Sequence, residues 1–137
     1  MSSDPQRAAA SWLKAEAHLR EAIAQDAEAS PMAIVHSSYY AMFHAARAVL
    51  FQATGTAPKR HDRTIQQFGL LVQSLDDSLR AAGKAFNEAK DERNDADYNE
   101  AIMPSPNDAR DALKAAAHFL DACRKHFGFY PAPSVSG

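Results

Sequence analysis

A single cysteine, Cys123, among 137 residues rules out a disulfide framework within one chain, and a lone thiol fits a reducing compartment. Glycine is sparse and β-branched residues are thin, while alanine is abundant. That balance favours helix along most of the chain. No apolar stretch nears the ~20 residues that cross a bilayer, and Met1-Ser2-Ser3-Asp4-Pro5 lacks the basic and apolar segments of a secretory signal. A cytoplasmic protein with no membrane association is expected. The net charge of −2 leaves no general excess of basic residues, which disfavours an all-round electrostatic grip on nucleic acid and allows only a local basic patch. Metal-ligand patterns are missing as well. There is no Glu-x-x-His pair of the di-iron bundles, and no His-x-x-x-His or clustered Cys/His spacing. Neither a metal nor another cofactor is expected.

What the chain does carry is helical punctuation. Asp4-Pro5, Ser30-Pro31 and Ser105-Pro106 each set a capping side chain before a proline at the first helical position, where the absent N–H costs nothing. Asp108 completes a box-like cap with Ser105. These starts predict a first helix over about 5–27 with Trp12, Leu19 and Ile23 on its inner face. They predict a second over about 31–53, where Val35, Tyr39, Met42, Ala46 and Val49 keep to one stripe. Gly55-Thr56-Ala57-Pro58 breaks the chain. Asp62 is the expected cap of a third helix with Ile65, Phe68, Leu71, Val72 and Leu75 inward. A weak spot around Gly83 precedes a fourth helix through Phe86, Ala89, Arg93 and Ala96. The prolines of Met103-Pro104-Ser105-Pro106 end that helix. The last carries Ala109, Leu113, Ala116, Leu120, Cys123 and Phe127 in four-three alternation. The expected fold is all-α, an antiparallel up-and-down bundle of four to five helices. One domain spans 1–129, and 130–137 reads as a flexible tail.

Candidate chemistry collects in three places. On the second helix His36, Tyr40, Phe43, His44 and Arg47 form another face beside the apolar stripe. Such residues edge many cores, and they equally make one wall of a groove for a base, a nucleotide or a partner helix. Pro58-Lys59-Arg60-His61-Asp62-Arg63 is the most basic run. It is either a solvated loop or, beside a helix N-terminus, a phosphate contact through Lys59, Arg60 and His61. Arg93 falls at an inward position, on the stripe of Phe86 and Ala89. A buried guanidinium must find partners, and Asp97, one turn on, is the local candidate. An arginine so held either makes a structural ion pair or presents a fixed cation to phosphate.

Taken in order, Ser38-Tyr39-Tyr40-Ala41-Met42-Phe43-His44-Ala45-Ala46-Arg47, Pro58-Lys59-Arg60-His61 and Arg93-Asn94-Asp95-Ala96-Asp97-Tyr98 resemble the HEPN superfamily over about residues 8–127. More narrowly, they are similar to its small prokaryotic branch with an Arg-x-x-Ala-Asp-Tyr signature. The resemblance implies a bundle of four or five helices, commonly a homodimer. In many members it implies metal-independent endoribonuclease activity, often as a toxin paired with a minimal nucleotidyltransferase. It also implies an active site built from an arginine, the polar residue after it, and a histidine a few residues beyond, with two such motifs meeting at the dimer cleft. Arg93 and Asn94 match the first two, while Tyr98, Asn99 and Glu100 occupy the three positions where the histidine would fall.

Metal-free RNA cleavage needs a base for the 2′-hydroxyl, and a phenol with a pKa of about 10 is a poor one. The expected function is therefore a dimeric module binding nucleotide, RNA or a partner such as a minimal nucleotidyltransferase. Its groove is centred on Arg93 and formed with Tyr40, His44, Arg47, Asn94 and Asp97. The alternative is a toxin-like endoribonuclease in which Arg93 and Tyr98 act with a non-standard base, His36 or His44 supplying the imidazole. A structural accessory bundle without a ligand is the third reading.

Overall fold

The computed structural model describes residues 3–98 and 103–129, the side chains of 95–98 excepted. Five helices follow one another, and the described residues contain no strand: α1 (Pro5–Ala24), α2 (Pro31–Thr54), α3 (His61–Val72), α4 (Asp77–Tyr98) and α5 (Pro106–Phe127). The chain is an all-α bundle, and α2 is its axis, packing against each of the other four helices. The α2 stripe of Val35, Tyr39, Met42, Ala46 and Val49 is buried throughout. Phe68 of α3, Phe86 of α4 and Phe119 of α5 meet around one another, with ring centroids 5.1–6.1 Å apart. Trp12 stacks on Phe129 at 4.6 Å and ties the end of the described chain to α1.

Two of the three proline-marked starts carry the side-chain bond that the sequence suggests. Asp4 accepts from the Arg7 N–H at 3.0 Å. Ser105 and Asp108 exchange both bonds of a capping box, at 3.0 and 2.9 Å. Ser30 makes no side-chain cap, and its carbonyl alone takes the Ile34 N–H. Gly55 and Gly128 close α2 and α5 in the left-handed region, at φ 83° and 79°, which only glycine adopts freely.

Three expectations are corrected. First, α1 stops at Ala24, and Ile23 is 62% exposed. The inner face runs Trp12–Ala15–Leu19–Ala22, where small Ala22 packs with Ile34 and Ala109. Ile23 lies one residue, about 100°, around the helix from that face. Second, α3 begins at His61 with Arg60 as its cap residue, and Asp62 lies in the first turn, paired with Arg60 at 2.9 Å. Third, Gly83 breaks nothing. The fourth helix starts at Asp77, where the Asp76 carboxylate accepts from the Leu79 N–H at 3.0 Å and from Ser78 Oγ at 2.9 Å. Gly83 sits inside α4 because α3 crosses there. A Cβ at that position would lie 3.3 Å from Val72 Cγ2 and 3.8 Å from the Gly69 Cα.

On α5, Cys123 is fully buried and its thiol is pushed far up by desolvation. The caps yield a contrast in stability. Ser105→Ala removes half of a capping box and should cost about 1 kcal/mol, whereas Ser30→Ala should cost only a few tenths. Urea melts of the two variants check this, and equal losses would contradict the cap assignment.

Candidate functional site

Tyr39 and Tyr40 are neighbours on α2, so their side chains leave the helix about 100° apart. Tyr39 points into the core and is 1% exposed, while Tyr40 is half-buried at its edge. Between them lies Arg93 of α4. Its guanidinium carbon stands 4.8 Å from the centroid of Tyr39 and 5.7 Å from that of Tyr40. Nη1 donates to the Tyr40 hydroxyl at 3.1 Å and Nη2 to Asn94 Oδ1 at 3.2 Å. The inward arginine is thus bedded on two π faces and oriented by two neutral acceptors. A phenol accepting from a guanidinium keeps its own O–H as a donor.

Beside Tyr39 stands His61, at the first position of α3. The Tyr39 hydroxyl and His61 Nδ1 are 2.7 Å apart. The imidazole also stacks on Phe43, with centroids 4.1 Å apart. Burial lowers its pKa, the charges of Arg93, Lys90 and Arg47 lower it further, and Asp62 alone opposes. Burial raises the Tyr39 phenol well above the ordinary range, Arg93 acting against it. Near neutral pH the pair is therefore a protonated phenol and an uncharged imidazole. If Nδ1 carries the proton and donates to the phenol oxygen, Nε2 keeps a lone pair and serves as a base. If the phenol donates to Nδ1, Nε2–H is a donor.

The structure separates the residues singled out from the sequence into three groups. Tyr40, Arg93 and Asn94 meet directly. His44 faces α1, its ring parallel to that of His18 at 5.2 Å, while Arg47 reaches the α2–α3 connection. There it donates to the Pro58 carbonyl and lies over the rings of Phe43 and Phe51. From the basic run, Lys59 and Arg60 are exposed, whereas His61 turns inward. The side chains of Asp97 and Tyr98, along with Asn99 and Glu100, lie outside the described residues. His36 is half-buried near the start of α2. His61, rather than His36 or His44, is hydrogen-bonded to a tyrosine that carries Arg93. A signal for this was available, since His61 extends the buried stripe Ile65–Phe68–Val72 by one helical step.

A groove of about 760 Å³ runs between α4 and α5, floored by Ala82, Ala85, Phe119 and Ala122, and takes in none of this cluster. No group of three or more histidines, cysteines or acids suited to a metal is found among the described residues. No helix there is long and apolar enough to cross a membrane.

These features define a class: an all-α bundle whose long second helix beds an arginine from the fourth, beside an uncharged imidazole. The model of the HEPN domain matches residues 8–126, and the chain belongs to the HEPN family. HEPN domains commonly dimerise and bind RNA, so membership suggests a nucleotide- or RNA-related, nuclease-like function. No curated protein matches the chain.

His44 supplies a test by pH. Burial first, then the charges of His18, Lys14, Arg47 and His61, lower its pKa from 6.5 to about 4. Between those values the unfolded chain binds the proton more readily, so stability falls as pH falls from about 6.5 towards 4. His44→Gln should flatten that part of a pH–stability curve, read by thermal melts. An unchanged slope would mean that His44 is not held neutral in the fold.

Proposed function

We propose that this chain is an RNA-directed HEPN module that grips a backbone phosphate on Arg93 and Tyr40. The observation that carries the reading is the guanidinium fixed over the rings of Tyr39 and Tyr40 and bonded to the Tyr40 hydroxyl. A guanidinium held in this way, with the Tyr40 O–H beside it, presents a preorganised cation and hydroxyl to one anion. Asp97 and Tyr98, one turn further along α4, are kept in the proposed site on the strength of the motif. Lys59 and Arg60, both exposed at the start of α3, extend the track for the backbone. By the family resemblance the module works as a cytoplasmic homodimer of one domain over 1–129. Its protein partner is a minimal nucleotidyltransferase.

His61 favours a second reading, metal-independent RNA cleavage. In that reaction Nε2 of His61 takes the proton of a 2′-hydroxyl, and the 2′-oxygen attacks the adjacent phosphorus held by Arg93. The bond from phosphorus to the 5′-oxygen breaks, and that oxygen leaves with a proton from water or the Tyr40 hydroxyl. The products are a 2′,3′-cyclic phosphate and a 5′-hydroxyl.

Both readings are tested on a labelled single-stranded RNA in the presence of EDTA. Arg93→Ala should weaken binding by roughly tenfold, as for one charge-assisted hydrogen bond of about 1.5 kcal/mol. Binding unchanged by that substitution would refute the phosphate site. If the native protein cleaves, His61→Ala should abolish cleavage while retaining most of the affinity. Persistent cleavage by that variant would remove His61 as the base, and a native protein that binds without cleaving leaves the module alone.

A further inference from the structure

The ring contacts that hold Arg93 do not stop at Tyr40. From Tyr40 they pass to His18 of α1, with centroids 5.7 Å apart. His18 lies parallel to His44, the planes 2° and the centroids 5.2 Å apart. His44 meets Phe43 at 5.2 Å, and Phe43 stacks on His61. Rings from α1, α2 and α3 thus form one continuous row that includes the tyrosine bonded to Arg93. The outer members of this row are not core residues. The His18 side chain is 30% exposed, and Tyr40 and His44 are half-buried. His18 is the member that α1 contributes, and its Nδ1 is 3.5 Å from Glu21. Lys14 and Arg47 lie near enough to His44 to help keep its imidazole uncharged.

We propose that His18, His44 and Tyr40 form a base-stacking subsite for single-stranded RNA, next to the phosphate held by Arg93. The inference rests on the RNA reading above and adds the form of RNA that fits. Tyr40 belongs to both sites, since its hydroxyl takes the Arg93 bond and its ring borders His18. Unstacked bases pair their faces with tyrosine and histidine rings, whereas a duplex keeps its bases stacked on one another and presents only its backbone and groove edges. An uncharged imidazole at the edge of the bundle offers such a face, and Lys14 beside it offers a cation to the neighbouring backbone. Every base has a π face, so the subsite selects for an unpaired base more than for a particular one.

The experiment compares three probes of equal length by fluorescence anisotropy. They are 2′-O-methyl oligouridylate, which cannot be cleaved through a 2′-hydroxyl, an abasic ribose-phosphate oligomer, and a 2′-O-methyl duplex. The native protein should prefer the oligouridylate to the abasic oligomer by roughly tenfold, within the range expected for stacking of one base. His18→Ala should bring that ratio close to one, and His18→Phe should restore it, which separates stacking from damage to the fold. Equal affinity of the native protein for oligouridylate and abasic oligomer overturns the subsite. So does a full preference retained by His18→Ala, or a duplex bound as tightly as the single strand. If Arg93→Ala weakens both single-stranded probes while the native protein does not distinguish them, the phosphate site stands and only the subsite falls. If Arg93→Ala weakens neither, the RNA reading fails at its root and the subsite falls with it.

Discussion

The bond between the Tyr39 hydroxyl and His61, made by a phenol whose ring also carries the Arg93 guanidinium, joins three helices at one buried side chain. A phenol meets both demands because its π face and its hydroxyl are different surfaces of one group. The face takes a cation, worth up to about 2 kcal/mol when water is excluded. The hydroxyl takes an imidazole, worth about 1 kcal/mol. Without that ring, the inward arginine would lack part of what offsets its desolvation, and His61 would lose the contact that orients it. The cluster is therefore part of the bundle's packing as well as of its chemistry. Tyr39 belongs to the same buried stripe as Met42, Ala46 and Val49.

Electrostatics follow from that arrangement. Arg93 and Lys90 disfavour a protonated His61, just as Lys14 and Arg47 disfavour a protonated His44. Near neutral pH the positive charge stays on arginine and lysine, while His44 and His61 are uncharged. An anion entering such a site meets fixed cations, and His61 can change its proton without first surrendering one to solvent. This is the division of labour that acid–base chemistry on a phosphodiester requires, with one group stabilising charge and another handling protons.

Much of the fold was legible in the residues. Pro5, Pro31 and Pro106 mark three helix starts, Gly55 marks an end, and the four-three stripes of α2 and α5 name their buried faces correctly. What escaped was of two kinds. Gly83 has the composition of a break, yet its meaning is interhelical, since even a Cβ there would press on Val72 of α3. No local pattern encodes a crossing point. The geometry of the site is likewise written in no local pattern. Arg93 and Tyr40 are 53 positions apart, and their contact was approached through a motif resemblance. His61 lay in a run whose charge drew attention to phosphate contacts, while its helical phase, one step before Ile65, pointed inward. Spacing along one helix can be counted, but which rings from three helices share a space depends on how those helices pack.

The burial of Cys123 has a practical side. Its thiol is the chain's only sulfhydryl, it is sealed between α5 and the core, and desolvation suppresses its thiolate. Thiol reagents attack the thiolate, so alkylation of the native chain must wait for opening of the bundle. The rate of that alkylation is thus a native-state clock for unfolding, read at a buried position of α5. A cysteine placed on the surface would be labelled against an almost silent background.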